Sequence, residues 1–209
     1  MLHGMVGEPA ERIDQTVRAA CGAGDFAKAT AETLRRYGSE LFGFLVGLHG
    51  DHDLAGEAFS IFSERLWRSL TRFQWECSLR TWCYHLARNA AVDVQRGLRH
   101  ERHLESAPEV LEVAAQVRTS TLSALRTENR SALERLRDEL SEEDRALLVL
   151  RIDRELGWRD VALVLAQSTE RADALLDDAA LTRETARLRK RLQLVTERLR
   201  ATARERKLV

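Results

Sequence analysis

The chain has little that would bend or staple it. Its 209 residues include only two prolines, Pro9 and Pro108, and eleven glycines. Proline removes a backbone donor and glycine raises the entropy cost of ordering, so the commonest helix breakers are scarce. Three cysteines, Cys21, Cys77 and Cys83, are odd in number and form no Cys-x-x-Cys pair, which argues against a disulfide framework and suits a reducing compartment. No apolar run approaches the length of a membrane span, so membrane insertion is not expected. The stretch MLHGMVGEPAER lacks the basic-then-apolar order of a signal peptide, and a cytoplasmic location is expected. No nucleophile–base pair, phosphate-binding loop or metal cluster is legible, so neither enzyme activity nor a cofactor or metal is expected.

What the chain does have is helix-forming residues. Abundant Ala, Leu, Arg and Glu predict an all-α protein, of a length that suits one large domain or two small ones. The net charge of zero hides an uneven distribution. Leu181–Val209 holds ten Lys/Arg against three Asp/Glu, a net of +7, and Leu79–His103 holds five Arg against Asp93 and Glu101, a net of +3. The remainder therefore carries −10. Two basic segments in an acidic body suit a protein that touches nucleic acid twice.

Phe73–His103 is the most telling stretch. A loop bearing Phe73 and Trp75 precedes a predicted helix with Ser78 as its cap. Leu79, Trp82, Cys83, Leu86, Ala90 and Val94 recur at three- and four-residue spacing and share an apolar face. Thr81, Tyr84, Arg88, Gln95 and Arg99 fall on the opposite face, which is polar and basic. Such a face suits a nucleic-acid backbone. The aromatic loop suits an unstacked base, whose stacking on an aromatic ring contributes about 1–3 kcal/mol. Packing of Phe73 and Trp75 beneath the loop is the competing reading.

Residues 1–24 read as a weakly ordered lead-in. Helices are predicted over about 25–48 and 54–70, separated by the turn His49–Asp53, where Asp51 or Asp53 caps the second. That turn, and the trio Cys77, Cys83 and His85, read as local structure rather than metal sites, because His85 points away from the face that buries Cys83. Residues 101–121, with Pro108 and the acids Glu101, Glu105, Glu109 and Glu112, read as a linker, with a short helix of its own as the alternative, and His100 and His103 as the exposed end of a basic helix. A second module is predicted over 122–209. Its helices lie near 122–140, 141–155 (capped by Ser141), 158–166 (after Gly157) and 182–204, with Trp158 and Leu163 in its core. Two short helices followed by a basic one give the order of a helix-turn-helix reader, although 167–180 is far longer than a standard turn and reads as an insertion. On the last helix Arg183, Arg187 and Lys190 oppose the apolar stripe, and Arg189 and Arg191 flank them. A merely solvated basic face is the alternative.

These segments resemble a known family. LRTWCYHLARNAAVDVQR is similar to the minus-ten-recognition segment of the extracytoplasmic-function (ECF) sigma factors of the sigma-70 family, with Trp82, Tyr84, Ala87, Arg88, Asn89 and Asp93 at the pattern positions. LAGEAFSIFSERLWRSLTRFQW resembles the family's polymerase-binding helix, LSEEDRALLVLRIDRELGWRDVALVLA its second DNA-binding domain, and ETARLRKRLQLVTERLR its minus-thirty-five recognition helix. The resemblance covers about 25–100 and 129–205. It implies a sigma region 2 bundle over 25–100, a linker over 101–121 and a region 4 helix-turn-helix domain over 122–209. It further implies that Glu57, Glu64, Arg65 and Trp67 bind the clamp helices of the beta-prime subunit of core RNA polymerase, although Ser60 and Ile61 stand where a Gln–Glu pair is usual. Phe73, Trp75, Arg80, Tyr84, Arg88, Asn89, Arg96 and Arg99 would meet minus-ten promoter DNA, and Arg183, Arg187, Arg189, Lys190 and Arg191 the minus-thirty-five element. An anti-sigma factor would be a further partner. A stand-alone helix-turn-helix regulator is the competing function, but leaves the aromatic loop and the clamp-type helix without a role.

Overall fold

The computed structural model describes residues 10–97, 107–127, 132–166 and 177–208, and all regular structure among them is helical. The helices are α1 (Ala10–Gly22), α2 (Phe26–His49), α3 (His52–Ser69), α4 (Leu79–Gln95), α5 (Pro108–Thr127), α6 (Ala132–Asp138), α7 (Glu142–Leu148), α8 (Trp158–Leu165) and α9 (Asp178–Glu205). A π-helical turn, Val149–Asp153, continues α7.

Short polar side chains start the helices by satisfying amides that lack an intrahelical partner. Asp25 accepts from the Lys28 amide, Asp51 from those of Asp53 and Leu54, Ser78 from Thr81, Ser141 from Asp144, and Asp177 from Ala180. Gly50 ends α2 in the left-handed region (φ 66°), its amide bonding Val46 O.

α2, α3 and α4 enclose an aromatic core. Phe42 meets Phe59 edge-on at 5.4 Å, and Phe44 meets Tyr84 edge-on at 5.1 Å. Two further helices cover this bundle, and both depart from expectation. The stretch read as a lead-in contains α1, whose Val17 and Ala20 are buried against α2. The stretch read as a linker is largely α5, which crosses the expected boundary at 121 and lays Val110, Val113, Ala114, Val117 and Thr121 onto α2 and α3. Pro108 starts α5, at the first-turn position where its missing amide costs nothing. The contact is close because Gly38 has no side chain: a Cβ there would lie 2.9 Å from Val117 Cγ1.

The helix expected over 122–140 is instead the end of α5 and, beyond residues 128–131, the short α6. The last helix begins at Asp178 rather than Thr182, so the end of the expected insertion belongs to α9. Residues 167–176, with Glu101, Glu105, His100 and His103, lie outside the described residues.

The two modules share one apolar core running from Val17 in α1 to Leu188 in α9. α8 presses Val161, Ala162, Val164 and Leu165 inward and packs on α4, while α7 meets the end of α2. Arg145 of α7 fastens that second contact by donating to Leu48 O (2.8 Å), Asp138 O (2.6 Å) and Leu140 O (3.3 Å), carbonyls at helix ends where a cation is favoured.

Candidate nucleic-acid and polymerase interface

The loop between α3 and α4 holds its two aromatics in a stack. Phe73 lies nearly parallel to Trp82 at 5.2 Å and tilted against Trp75 at 4.8 Å, and Trp82 stacks on His85 at 5.7 Å. Trp75 adopts φ 60°, a left-handed conformation that is uncommon for so bulky a residue and marks stored strain. The Arg18 guanidinium of α1 covers its ring at 4.3 Å. Sequence reasoning missed this cation, although Ile13, Val17 and Ala20 carry the helical spacing that would have placed it.

Most of the polar face of α4, expected in solvent, is instead buried, and Gln95 near its end is exposed. Thr81, Tyr84, His85 and Arg88 are all buried because α4 is packed on two sides, by α2 and α3 on one and by α8 on the other. The Tyr84 hydroxyl donates to Glu40 Oε1 (2.6 Å), which also receives the Arg80 guanidinium. Burial and the nearby Glu40 carboxylate both push the Tyr84 hydroxyl well above its ordinary pKa. Arg80 donates in addition to Arg154 O (3.1 Å), reaching into the second module. Thr81 donates to Asp160 Oδ1 (3.0 Å). His85 Nδ1 meets Leu163 O (3.1 Å), and because a carbonyl can only accept, this nitrogen carries the proton. Its Nε2 then accepts from Asn89 Nδ2 (3.1 Å). Burial pulls the His85 pKa below its ordinary value, which keeps the ring neutral.

Among the residues expected to meet minus-ten DNA, then, Arg80, Tyr84 and Asn89 have protein partners, and Arg88 is buried. Arg96, which caps α4 at its C-terminus, is exposed. Gly97 turns left-handed there (φ 68°), so the helix does not continue to Arg99, which lies outside the described residues.

On α9, Arg183, Arg187, Arg189 and Lys190 are exposed. Arg187 pairs with Glu184 one turn back (2.6 Å), and Arg189 sits over the Trp158 ring at 5.5 Å. Arg191 differs: it joins Asp144 (2.5 Å) and Glu143 (2.6 Å) and so fastens α9 to α7. On α3, Glu57 and Trp67 are half-buried, Glu64 is buried and paired with Arg68 (2.9 Å), and Arg65 bridges to Asp93 of α4 (2.5 Å).

The described structure is thus that of an all-helical protein with two groups of cations on two helices, one of them beside an aromatic stack. Residues 33–101, about a third of the chain, match the family model described as Sigma-70 region 2. This segment of the first module is similar to region 2 of the sigma-70 family, a family of transcription initiation factors. The match includes α3, the aromatic loop and α4. No curated protein and no solved structure matches the chain. Among the described residues, no helix is long and apolar enough to cross a membrane.

Proposed function

We propose that the chain is an alternative sigma factor of the ECF type. It binds the clamp helices of core RNA polymerase through α3, melts and reads the minus-ten element with the 73–78 loop and α4, and reads the minus-thirty-five element with α9. The match of Sigma-70 region 2 to residues 33–101 carries this reading. The module that follows supports it, since its last helix bears the exposed cations Arg183, Arg187, Arg189 and Lys190. Unstacking a base costs a few kcal/mol, and aromatic surfaces such as Trp75 offset that cost. Arg80, Arg88, Arg96 and Arg99 then hold the strand backbone, whose phosphates supply salt-dependent affinity. Chemistry is left to the polymerase.

This role requires the modules to part. The two promoter elements lie about 25 base pairs apart, roughly 85 Å of B-form duplex. Here Arg88 of α4 and Arg187 of α9 line a single cleft. The packed arrangement is then the resting form, and engagement of polymerase and promoter draws α8 off α4. An anti-sigma factor fits as a partner that prolongs the resting form. The function is tested by run-off transcription with core polymerase on a genomic promoter library. Initiation from promoters sharing two motifs is expected, and failure of the chain both to associate with core polymerase and to direct initiation would sink the reading in favour of a stand-alone regulator.

A further inference from the structure

A cleft of about 390 Å³ opens where α4, α7, α8 and α9 meet, and its lining includes Arg88, Glu143, Glu184, Arg187, Leu188 and Arg191. Its volume falls in the range of small-molecule sites, about 300–1,000 Å³. We propose that this cleft binds a free phosphate-class oxyanion, inorganic phosphate or pyrophosphate, through Arg88 of the first module and Arg187 and Arg191 of the second.

Arg88 carries the argument. Its side chain is 6 % exposed, and its Nε is buried with no hydrogen-bond partner among the described residues. A guanidinium N–H buried without an acceptor is costly, and native structures rarely leave one so. The other two cations are already compensated. Arg187 gives Nε and Nη2 to Glu184 (2.9 and 2.6 Å), and Arg191 gives Nε to Asp144 and Nη1 to Glu143 (2.5 and 2.6 Å). Glu184, Glu143 and Asp144 are all taken up by Arg187 and Arg191, and among the described residues Arg88 is the lining cation that makes no ion pair. Burial lowers its pKa, while Glu142 and Glu143 pull the other way from too far to bond it.

The donor arrangement selects the anion. A planar carboxylate is satisfied by one guanidinium in a bidentate pair, whereas three guanidinium groups around a cavity suit an anion with oxygens directed several ways. Nη1 of Arg187 and Nη2 of Arg191 remain to complete such a shell. Because the cations come from both modules, a bound anion stabilises the packed form by mass action. The site stands apart from the promoter reading, since binding is measured without polymerase.

Calorimetric titration of the full chain with pyrophosphate, against sodium chloride of matched ionic strength, tests the proposal. Saturable binding is expected in the calorimeter, with a Tm that keeps rising with the logarithm of pyrophosphate concentration once the site is filled. Arg88→Gln should weaken binding at least tenfold and Arg187→Gln severalfold, while Arg72→Gln, on an exposed residue outside the cleft, should leave it unchanged. The melting curve of each variant without ligand confirms that it is folded. Binding no stronger than that of chloride, or equal binding by wild type and Arg88→Gln, overturns the site. Loss only in Arg88→Gln overturns the bridging role. A short oligothymidylate that binds through Arg88 where pyrophosphate does not would assign the cleft to the DNA backbone and also overturn the proposal.

Discussion

α4 and α9 have similar sequences in one respect, an apolar stripe opposed by Arg, and very different surroundings. On α9, Arg183, Arg187, Arg189 and Lys190 are exposed, and Arg187 pairs one turn back with Glu184 while Arg189 lies over Trp158 of α8. On α4, Arg80 is held by Glu40, Asn89 by His85, and Arg88 is enclosed. Helical periodicity assigns residues to faces, but the number of neighbouring elements decides whether a face meets water. α9 rests its stripe on the second module alone, whereas α4 lies between two layers. One proposed DNA-contacting helix is therefore presented and the other is covered.

Removing one carboxylate from each helix's environment gives the largest contrast. Glu40→Ala leaves the half-buried Arg80 and the buried Tyr84 hydroxyl without their acceptor, and urea unfolding should show a loss of about 2 kcal/mol. Glu184→Ala on α9 leaves behind only Arg187, which is mostly exposed and can turn to water, and should cost less than about 0.5 kcal/mol. Equal losses would erase the distinction between the helices.

Next is the cover itself. Thr81 stands three residues after the cap Ser78 and donates to Asp160. Thr81→Glu keeps the start of α4 by forming a capping box, yet sets two carboxylates against each other across the module contact. X-ray scattering should report a larger radius of gyration, and affinity for promoter DNA should rise by about tenfold, or 1.4 kcal/mol. An unchanged radius together with unchanged affinity would mean that α8 does not mask α4.

A smaller effect separates the two sets of cations by salt. Lys190→Ala should lower the slope of log affinity against log salt by about one in the wild-type background. Arg88→Gln should do so only in the Thr81→Glu background, because only there does α4 reach phosphates.

The smallest effect is in pH. Burial depresses the folded pKa of His85, so the unfolded chain binds the extra proton first as pH falls. Stability supplied by the neutral ring is complete above its ordinary pKa of about 6.5 and is lost as pH falls from there towards the folded value. Thermal melts between pH 7.5 and 5 should decline more steeply for wild type than for His85→Gln, and parallel curves would remove His85 as the cause.

Much of this was legible in the chain. Ser78 and Ser141 cap the helices they were expected to cap, as does Asp51, and the apolar stripe of α4 faces the core. Other features were visible but outweighed. Val110, Val113, Val117 and Thr121 have helical spacing, yet acids and a proline dominate that stretch, and Pro108 serves α5 as a start rather than a break. The covering of α4 by α8 had no periodic signature. The apolar face of α8 does not name its partner, and the polar pairs that do, Thr81 with Asp160 and His85 with Leu163, join distant residues and leave no pattern along a sequence.

The seat of Val117 against Gly38 sets how far the protein can reach. While α5 stays seated, Thr127 and Ala132 are joined by five peptide steps, a span of about 18 Å at most. If α5 lifts off α2 and unwinds, the path from Gly97 to Ala132 is thirty-five steps, more than about 100 Å when extended. A side chain of one hydrogen at position 38 thus lets a would-be linker be reeled in as a helix, and the length of duplex the two modules can straddle depends on whether that helix is let out.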